Sequence, residues 1–126
     1  MKVRKLISIL LILITLLSFS GCSSGFEIGS VENSTSTKIT MSYYLFSGVK
    51  TRKITVEKDK PVDVAVEIES EGGSLDLSIT DEEGNSSYQG QDLESSSFLV
   101  TLSEEGTYTL QIEAKKHKGS FDITWE

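Results

Sequence analysis

The chain holds one cysteine, Cys22, and one histidine, His117. Zinc centres of the Cys/His type need at least three such ligands, so the count alone excludes them. His117 lies in Lys115-Lys116-His117-Lys118, a basic run on an acidic chain, and is expected at a solvated hairpin tip. A Ser-His-Asp hydrolase needs its histidine held by a carboxylate inside a pocket, and a turn crowded with lysines is a poor place for that. Within residues 26–126 no Gly-x-Ser-x-Gly elbow is available to present a serine nucleophile. The functional alternative is that His117, Lys116 and Lys118 form a positive spot touching an anionic wall polymer or lipid headgroup.

Other side chains offer less specific chemistry. Asp81-Glu82-Glu83-Gly84-Asn85 gathers oxygens, and Asp81, Glu83 and Asn85 are the candidate cation ligands. The Asp-x-Asp-x-Asp-Gly spacing of a calcium loop is missing, however, and acidic turns recur for conformational reasons. Nineteen acids make some carboxylate pair inevitable, so a glycosidase pair cannot be singled out. Tyr44 and Phe46 fall on the strand face opposite Met41, Tyr43 and Leu45, which makes them candidates for stacking on a sugar. The competing reading is that both faces of this strand are covered. Trp125 continues the Phe121/Ile123 alternation and is expected in the core. No cofactor is implied.

The residues ahead of Cys22 set its chemistry. Lys2, Arg4 and Lys5 precede an apolar run from Leu6 to Leu17, and small residues lead into Phe19-Ser20-Gly21-Cys22. Charge, apolar run and small residues in that order describe an export signal, and the run is too short for an ordinary membrane span. With a cysteine directly after the small residues, the segment resembles the signal and lipobox of bacterial lipoproteins, with Phe19 where leucine is usual. The resemblance implies cleavage between Gly21 and Cys22 and a diacylglyceryl group on the Cys22 sulfur. A lone cysteine in an exported chain has no disulfide partner, and lipidation accounts for it. Two or more acyl chains hold a protein on a membrane without spanning it. The expected location is therefore the extracytoplasmic face of the cell membrane.

Residues 1–21 leave with the signal, so nine basic side chains face nineteen acidic ones and the net charge becomes −10. Such a body is repelled by nucleic acid and by anionic headgroups alike. Residues 22–37 are expected to form a flexible tether, since nine of the fifteen from Ser23 to Thr37 are Ser, Thr or Gly. A coil of that length spans about 20 Å. Residues 38–126 read as one domain.

Within that domain, apolar residues alternate with polar ones: Ile39 to Leu45, Val62 to Ile68, Leu75 to Ile79, Phe98 to Leu102, Tyr108 to Ile112 and Phe121 to Trp125. Weaker runs cover Arg52 to Val56 and Ser86 to Gln89. Period two with β-branched and aromatic residues predicts strands with one buried face. Lys58-Asp59-Lys60-Pro61, Glu71-Gly72-Gly73, Asp81 to Asn85, Glu104-Glu105-Gly106 and Lys116 to Gly119 read as turns. The expectation is an all-β, antiparallel β-sandwich of jelly-roll or Ig-like type with seven or eight strands.

Gly106-Thr107-Tyr108 and Gly119-Ser120-Phe121 open the last two predicted strands. This Gly-x-Tyr and Gly-x-aromatic pair resembles the closing hairpin of the pre-peptidase C-terminal β-sandwich domains of bacteria. That family consists mainly of accessory modules on secreted enzymes, and similar domains occur in small Gram-positive lipoproteins. The combined expectation is a non-catalytic, lipid-anchored module that binds a protein partner or an envelope polymer. The alternatives are a carbohydrate- or cation-binding accessory module, and a small envelope hydrolase using a carboxylate pair.

Replacing Cys22 with Ala is expected to move the protein from the membrane fraction to the soluble one, read by fractionation and immunoblotting. Unchanged membrane partition would refute the anchor.

Overall fold

A computed structural model describes residues 25–126. Seven antiparallel strands carry most of them: β1 (Phe26–Ile28), β2 (Val31–Thr35), β3 (Lys38–Val56), β4 (Val62–Thr80), β5 (Ser86–Gly90), β6 (Ser96–Leu102) and β7 (Gly106–Trp125). The spatial order is β1-β3-β7-β4-β5, with β2 also on β3 and β6 also on β4. No helix occurs among the described residues. The all-β expectation holds, and the layout is consistent with a sandwich.

Three strands dominate. β3, β4 and β7 are 19, 19 and 20 residues long, and a straight strand of that length would extend about 60 Å. A domain of about 100 residues has a radius of gyration near 13 Å, so each of these strands has to bend. The bends lie abreast. Pairing of β3 with β7 slips between Tyr43 and Phe46 and again before Gly48. Pairing of β4 with β7 slips between Ser70 and Gly72 and again before Ser74. Each long strand thus contributes to both halves of one folded sheet, the first half edged by β2 and β6 and the second by β5.

This corrects the expected turns. Glu71-Gly72-Gly73 and Lys116 to Gly119 do not reverse the chain; they are bulged bends inside continuous strands. Gly73 (φ +70°) and Gly119 (φ +138°) supply the backbone conformation there, and Lys116 joins them at φ +49°. The expected strand pairs 39–45 with 52–56, 62–69 with 75–79, and 108–112 with 121–125 merge into β3, β4 and β7. The corner at Lys58 to Pro61 is a true reversal, with the Lys60 amide donating to the Glu57 carbonyl at 3.1 Å.

One core fills the fold. Ile39, Met41, Val66, Ile68, Phe121 and Ile123 from the first half meet Ile54, Leu75, Leu77, Ile79, Leu110 and Ile112 from the second, all buried. Trp125 is buried as expected, with the Arg52 guanidinium 5.9 Å from its ring centroid. Tyr108 donates its hydroxyl to the Glu104 carbonyl at 2.8 Å, pinning the β6–β7 turn to the strand it starts.

The tether is the second correction. Residues 26–35 pair with β3, as Phe26 opposite Ser47, Ile28 opposite Leu45 and Val31 opposite Ser42. Lys50 reaches across to Glu27 at 2.9 Å and Glu32 at 3.2 Å, and Arg52 donates to the Thr35 carbonyl. The hydrogen bond to Lys50 holds the Glu27 carboxyl below its usual range and raises the Lys50 ammonium. Every side chain of β1 and β2 is exposed, so burial imposes no apolar alternation on this segment.

The bend yields a sharp contrast between adjacent glycines. A Cβ on Gly73 would sit 2.0 Å from the Lys116 carbonyl oxygen, and one on Gly119 2.0 Å from that of Glu69, whereas one on Gly72 meets only Lys118 Cδ at 3.6 Å. Gly73→Ala and Gly119→Ala are expected to cost more than about 2 kcal/mol in urea unfolding, and Gly72→Ala less than about 0.5 kcal/mol. Similar losses at positions 72 and 73 would refute the bend geometry.

Candidate functional site

His117 has the lowest exposure a side chain can have, 0 %, although three lysines surround it in sequence. The expectation of a solvated tip is overturned because the segment is a bulged strand rather than a loop. At the bend the side chains of Lys115, Lys116 and Lys118 turn outward and His117 alone turns in. It pairs with Phe46 across β3 and sits under the fold line of all three long strands.

Both ring nitrogens have partners. Tyr43 Oη is bonded to Nδ1, and Nε2 lies 3.0 Å from Ser70 Oγ. Burial pushes the Tyr43 phenol well above its usual pKa, so it keeps its proton and donates to Nδ1. Nε2 then carries the imidazole hydrogen and donates to Ser70, an assignment that satisfies the whole chain of bonds. The Tyr43 ring packs edge-on to His117 at 5.6 Å and against Phe46 and Phe121 at 5.2 and 6.2 Å.

Ser70, His117 and Tyr43 have the outline of a nucleophile, base and orienter. Their chemistry points elsewhere. Burial lowers the His117 pKa, opposed by the charge of Asp92, so the ring resists becoming the imidazolium that a relay requires. The third member is a neutral phenol, not a carboxylate that would stabilise that cation. The arrangement ties β3, β4 and β7 together at their common bend.

The bulge also reorders the aromatic residues. Alternation places Tyr43 in the core and continues only as far as the register slip, after which Phe46 is the next to turn inward. Phe46 is buried and is no stacking platform. Tyr44 is 68 % exposed, with Lys118 Nζ 5.8 Å from its ring centroid. Tyr44, Lys116 and Lys118 thus share the outside of the corner whose inside is His117.

The acidic turn is explained by its backbone. Asp81 Oδ1 accepts the amides of Glu83 at 2.9 Å and Asn85 at 2.8 Å, and the Asp81 carbonyl accepts that of Gly84 at 3.1 Å. Asn85 Nδ2 reaches Glu83 at 3.5 Å. Among the described residues, no three His, Cys, Asp or Glu side chains are grouped so that they could hold a metal ion. Gly21 and Cys22 lie outside the described residues.

Sequence reading missed two rows on the outer sheet faces. Asn33, Thr40, Asp122, Glu67 and Ser97 stand side by side across β2, β3, β7, β4 and β6. Glu67 and Asp122 are directly opposite, with Lys38 3.8 Å from Asp122. Beside them Ala65, Leu99 and Thr124 line a shallow concavity of about 500 Å³. On the other half, Asp76 opposes Glu113 beside Gln89 and Gln111, in a concavity of about 180 Å³. Each acid was visible as the polar member of an alternation, but strand neighbours are not.

No protein-family model matches the chain, and no curated protein matches it. Among solved structures it is similar to a CBM4 structure at 8% identity, covering 83% of this chain and 77% of that one, with a TM-score of 0.48. It is also similar to the pre-peptidase C-terminal domain of a collagenase from Bacillus anthracis, at 14% identity over 82% and 89% of the two chains and a TM-score of 0.45. A third is PliG of Aeromonas hydrophila, a periplasmic inhibitor of g-type lysozyme, at 9% identity over 79% and 88% and a TM-score of 0.44. None of these likenesses assigns a residue or an activity to this chain.

A neutral buried histidine has a pH signature. Its folded pKa is depressed below the ordinary 6.5, so below that value the unfolded chain binds a proton that the folded one refuses. Stability is expected to be full well above pH 6.5 and to fall as the pH drops through and below it, read from urea midpoints. His117→Gln should flatten that slope, and an unchanged slope would show that His117 does not titrate there. Tyr43→Phe leaves Nδ1 without its donor and is expected to cost about 1–3 kcal/mol.

Proposed function

We propose that this chain is a non-catalytic binding module, exported and held by a lipid on Cys22 at the outer side of a bacterial cell membrane. It engages an envelope polymer or an envelope protein through the outer face of its first sheet half. The observation that carries this reading is a division of the molecule. The one histidine is sealed inside with both nitrogens bonded, while a wide polar sheet face with an opposed acid pair lies open.

Like charges directly opposite on a sheet cost stability, about 0.2–1 kcal/mol for such pairs. Glu67 and Asp122 bear that cost with only Lys38 nearby, at 3.8 Å from Asp122. A partner presenting ammonium groups or hydroxyls recovers it on binding, flanked by the hydroxyls of Ser97 and Thr124. The face carries no exposed aromatic ring, so recognition runs through hydrogen bonds and charge instead of stacking.

Glu67→Gln separates this reading from a purely structural one. It is expected to raise stability by a few tenths of a kcal/mol in urea unfolding. The same variant should weaken cosedimentation with isolated cell-wall polymer, or retention on solubilised envelope protein, by about tenfold or more. Unaltered binding to both would exclude the face, and turnover of the polymer by the purified protein would overturn the non-catalytic reading.

A further inference from the structure

Exposed apolar side chains are concentrated in one place. Among the described residues, six large hydrophobics are exposed, and Phe26, Ile28, Val31, Tyr44 and Val49 are five of them, at 45–68 % exposure. The sixth, Leu99, is on β6. Register sets Phe26 beside Ser47, Ile28 beside Leu45 and Val31 beside Ser42, on either side of the β3 bulge where Tyr44 is exposed. Gly29, in the β1–β2 turn, points its Cβ direction at Tyr44 Cβ, 3.5 Å away. Phe26 and Val49 line one concavity of about 500 Å³ with Ser47 and Gly48 between them.

The basic residues of the corner join this patch. Lys118 lies over the Tyr44 ring, and the Lys116 amide donates to Ser47 Oγ at 2.8 Å. Lys115, Lys116 and Lys118 are all exposed. Of the acids at this corner, Glu27 is paired with Lys50 at 2.9 Å, and Glu113 stands opposite Val49 next to Lys115. Apolar and aromatic side chains rimmed by lysines suit the boundary between lipid headgroups and acyl chains.

The position of the patch on the chain says which surface covers it. Gly25 enters the fold here, its Cβ direction 3.4 Å from Gly48 Cα. Because β1 and β2 take up most of the expected tether, three residue steps separate Gly25 from Cys22, at most about 10 Å of extended chain. A lipid on Cys22 therefore brings this corner to the bilayer. The charge is complementary as well, since the lysines gather here on a body whose net charge from residue 22 onward is −10.

We propose that this corner is a membrane-contact surface. Phe26, Ile28, Val31, Tyr44 and Val49 enter the headgroup boundary, and Lys115, Lys116 and Lys118 meet lipid phosphates. The contact rests on the lipid-anchor reading and adds an orientation to it: the Glu67/Asp122 face is left to look along or away from the membrane.

The test uses the full chain made in a lipoprotein-processing bacterium, with p-benzoylphenylalanine in place of Tyr44 or, for comparison, of Gln89 on β5. After irradiation of membranes, intact mass is expected to show a phospholipid adduct at position 44 at least five-fold above position 89. Lys115→Glu, Lys116→Glu and Lys118→Glu together should lower it several-fold. The mass of the Cys22 peptide, read in the same sample, reports the anchor separately. A lipidated Cys22 with no phospholipid adduct at 44, or with only a protein adduct there, overturns the contact and leaves the anchor standing. An unmodified thiol with the adduct supports the contact and removes the anchor. An unmodified thiol without the adduct overturns both.

Discussion

Strands of about twenty residues cannot lie flat in a domain this small, and the fold depends on how three of them bend together. A break in one strand strands its backbone groups unless its neighbours break at the same level. Here β3, β4 and β7 slip register side by side. Pleat alternation fails along that line, so apolar side chains cannot be placed there by period alone. The gap is filled by a polar chain, Tyr43 to His117 to Ser70, with one member from each long strand. A directional network fits a fold line better than grease does, because it fixes the angle between strands as well as their spacing.

The individual runs of alternation were legible because each buries one face against the same core. What joins the runs was not. Gly72-Gly73 and Lys116 to Gly119 carry the same signal whether the chain reverses or merely kinks, since both need positive φ. The number of strands and the place of His117 both follow from that ambiguity. Phe46 left the face it was expected to share with Tyr44 for a related reason, as the register slip between Tyr43 and Phe46 shifts the later residues by one. β1 and β2 showed in the sequence only as the apolar residues Phe26, Ile28 and Val31 in a polar segment, because an edge ribbon with all its side chains exposed obeys no sustained apolar pattern. The opposed acids Glu67 and Asp122 are a matter of register, which composition and period do not contain.

Once these pieces are placed, the molecule divides by chemistry. The histidine, whose pKa burial lowers, is structural and interior, and the groups open to a partner are carboxylates, hydroxyls and amides on flat sheet. That distribution offers a partner many simultaneous weak contacts across a broad face. The lysine-rich corner is an exception in sign, lying at the bend between the two acid rows.

The ribbon formed by β1 and β2 has a mechanical meaning. A pull on the chain ahead of Gly25 loads β1 first, and a three-residue edge strand peels one hydrogen-bonded pair at a time. The Lys50–Glu27 pair yields with it, and next come the Lys50–Glu32 pair and the Arg52 contact with Thr35, all outside the hydrophobic core. Releasing these ten residues would lengthen the leash by about 30 Å with the sandwich still folded. The N-terminal edge is thus built as a spring-loaded slack, able to absorb a tug before the rest of the domain feels it.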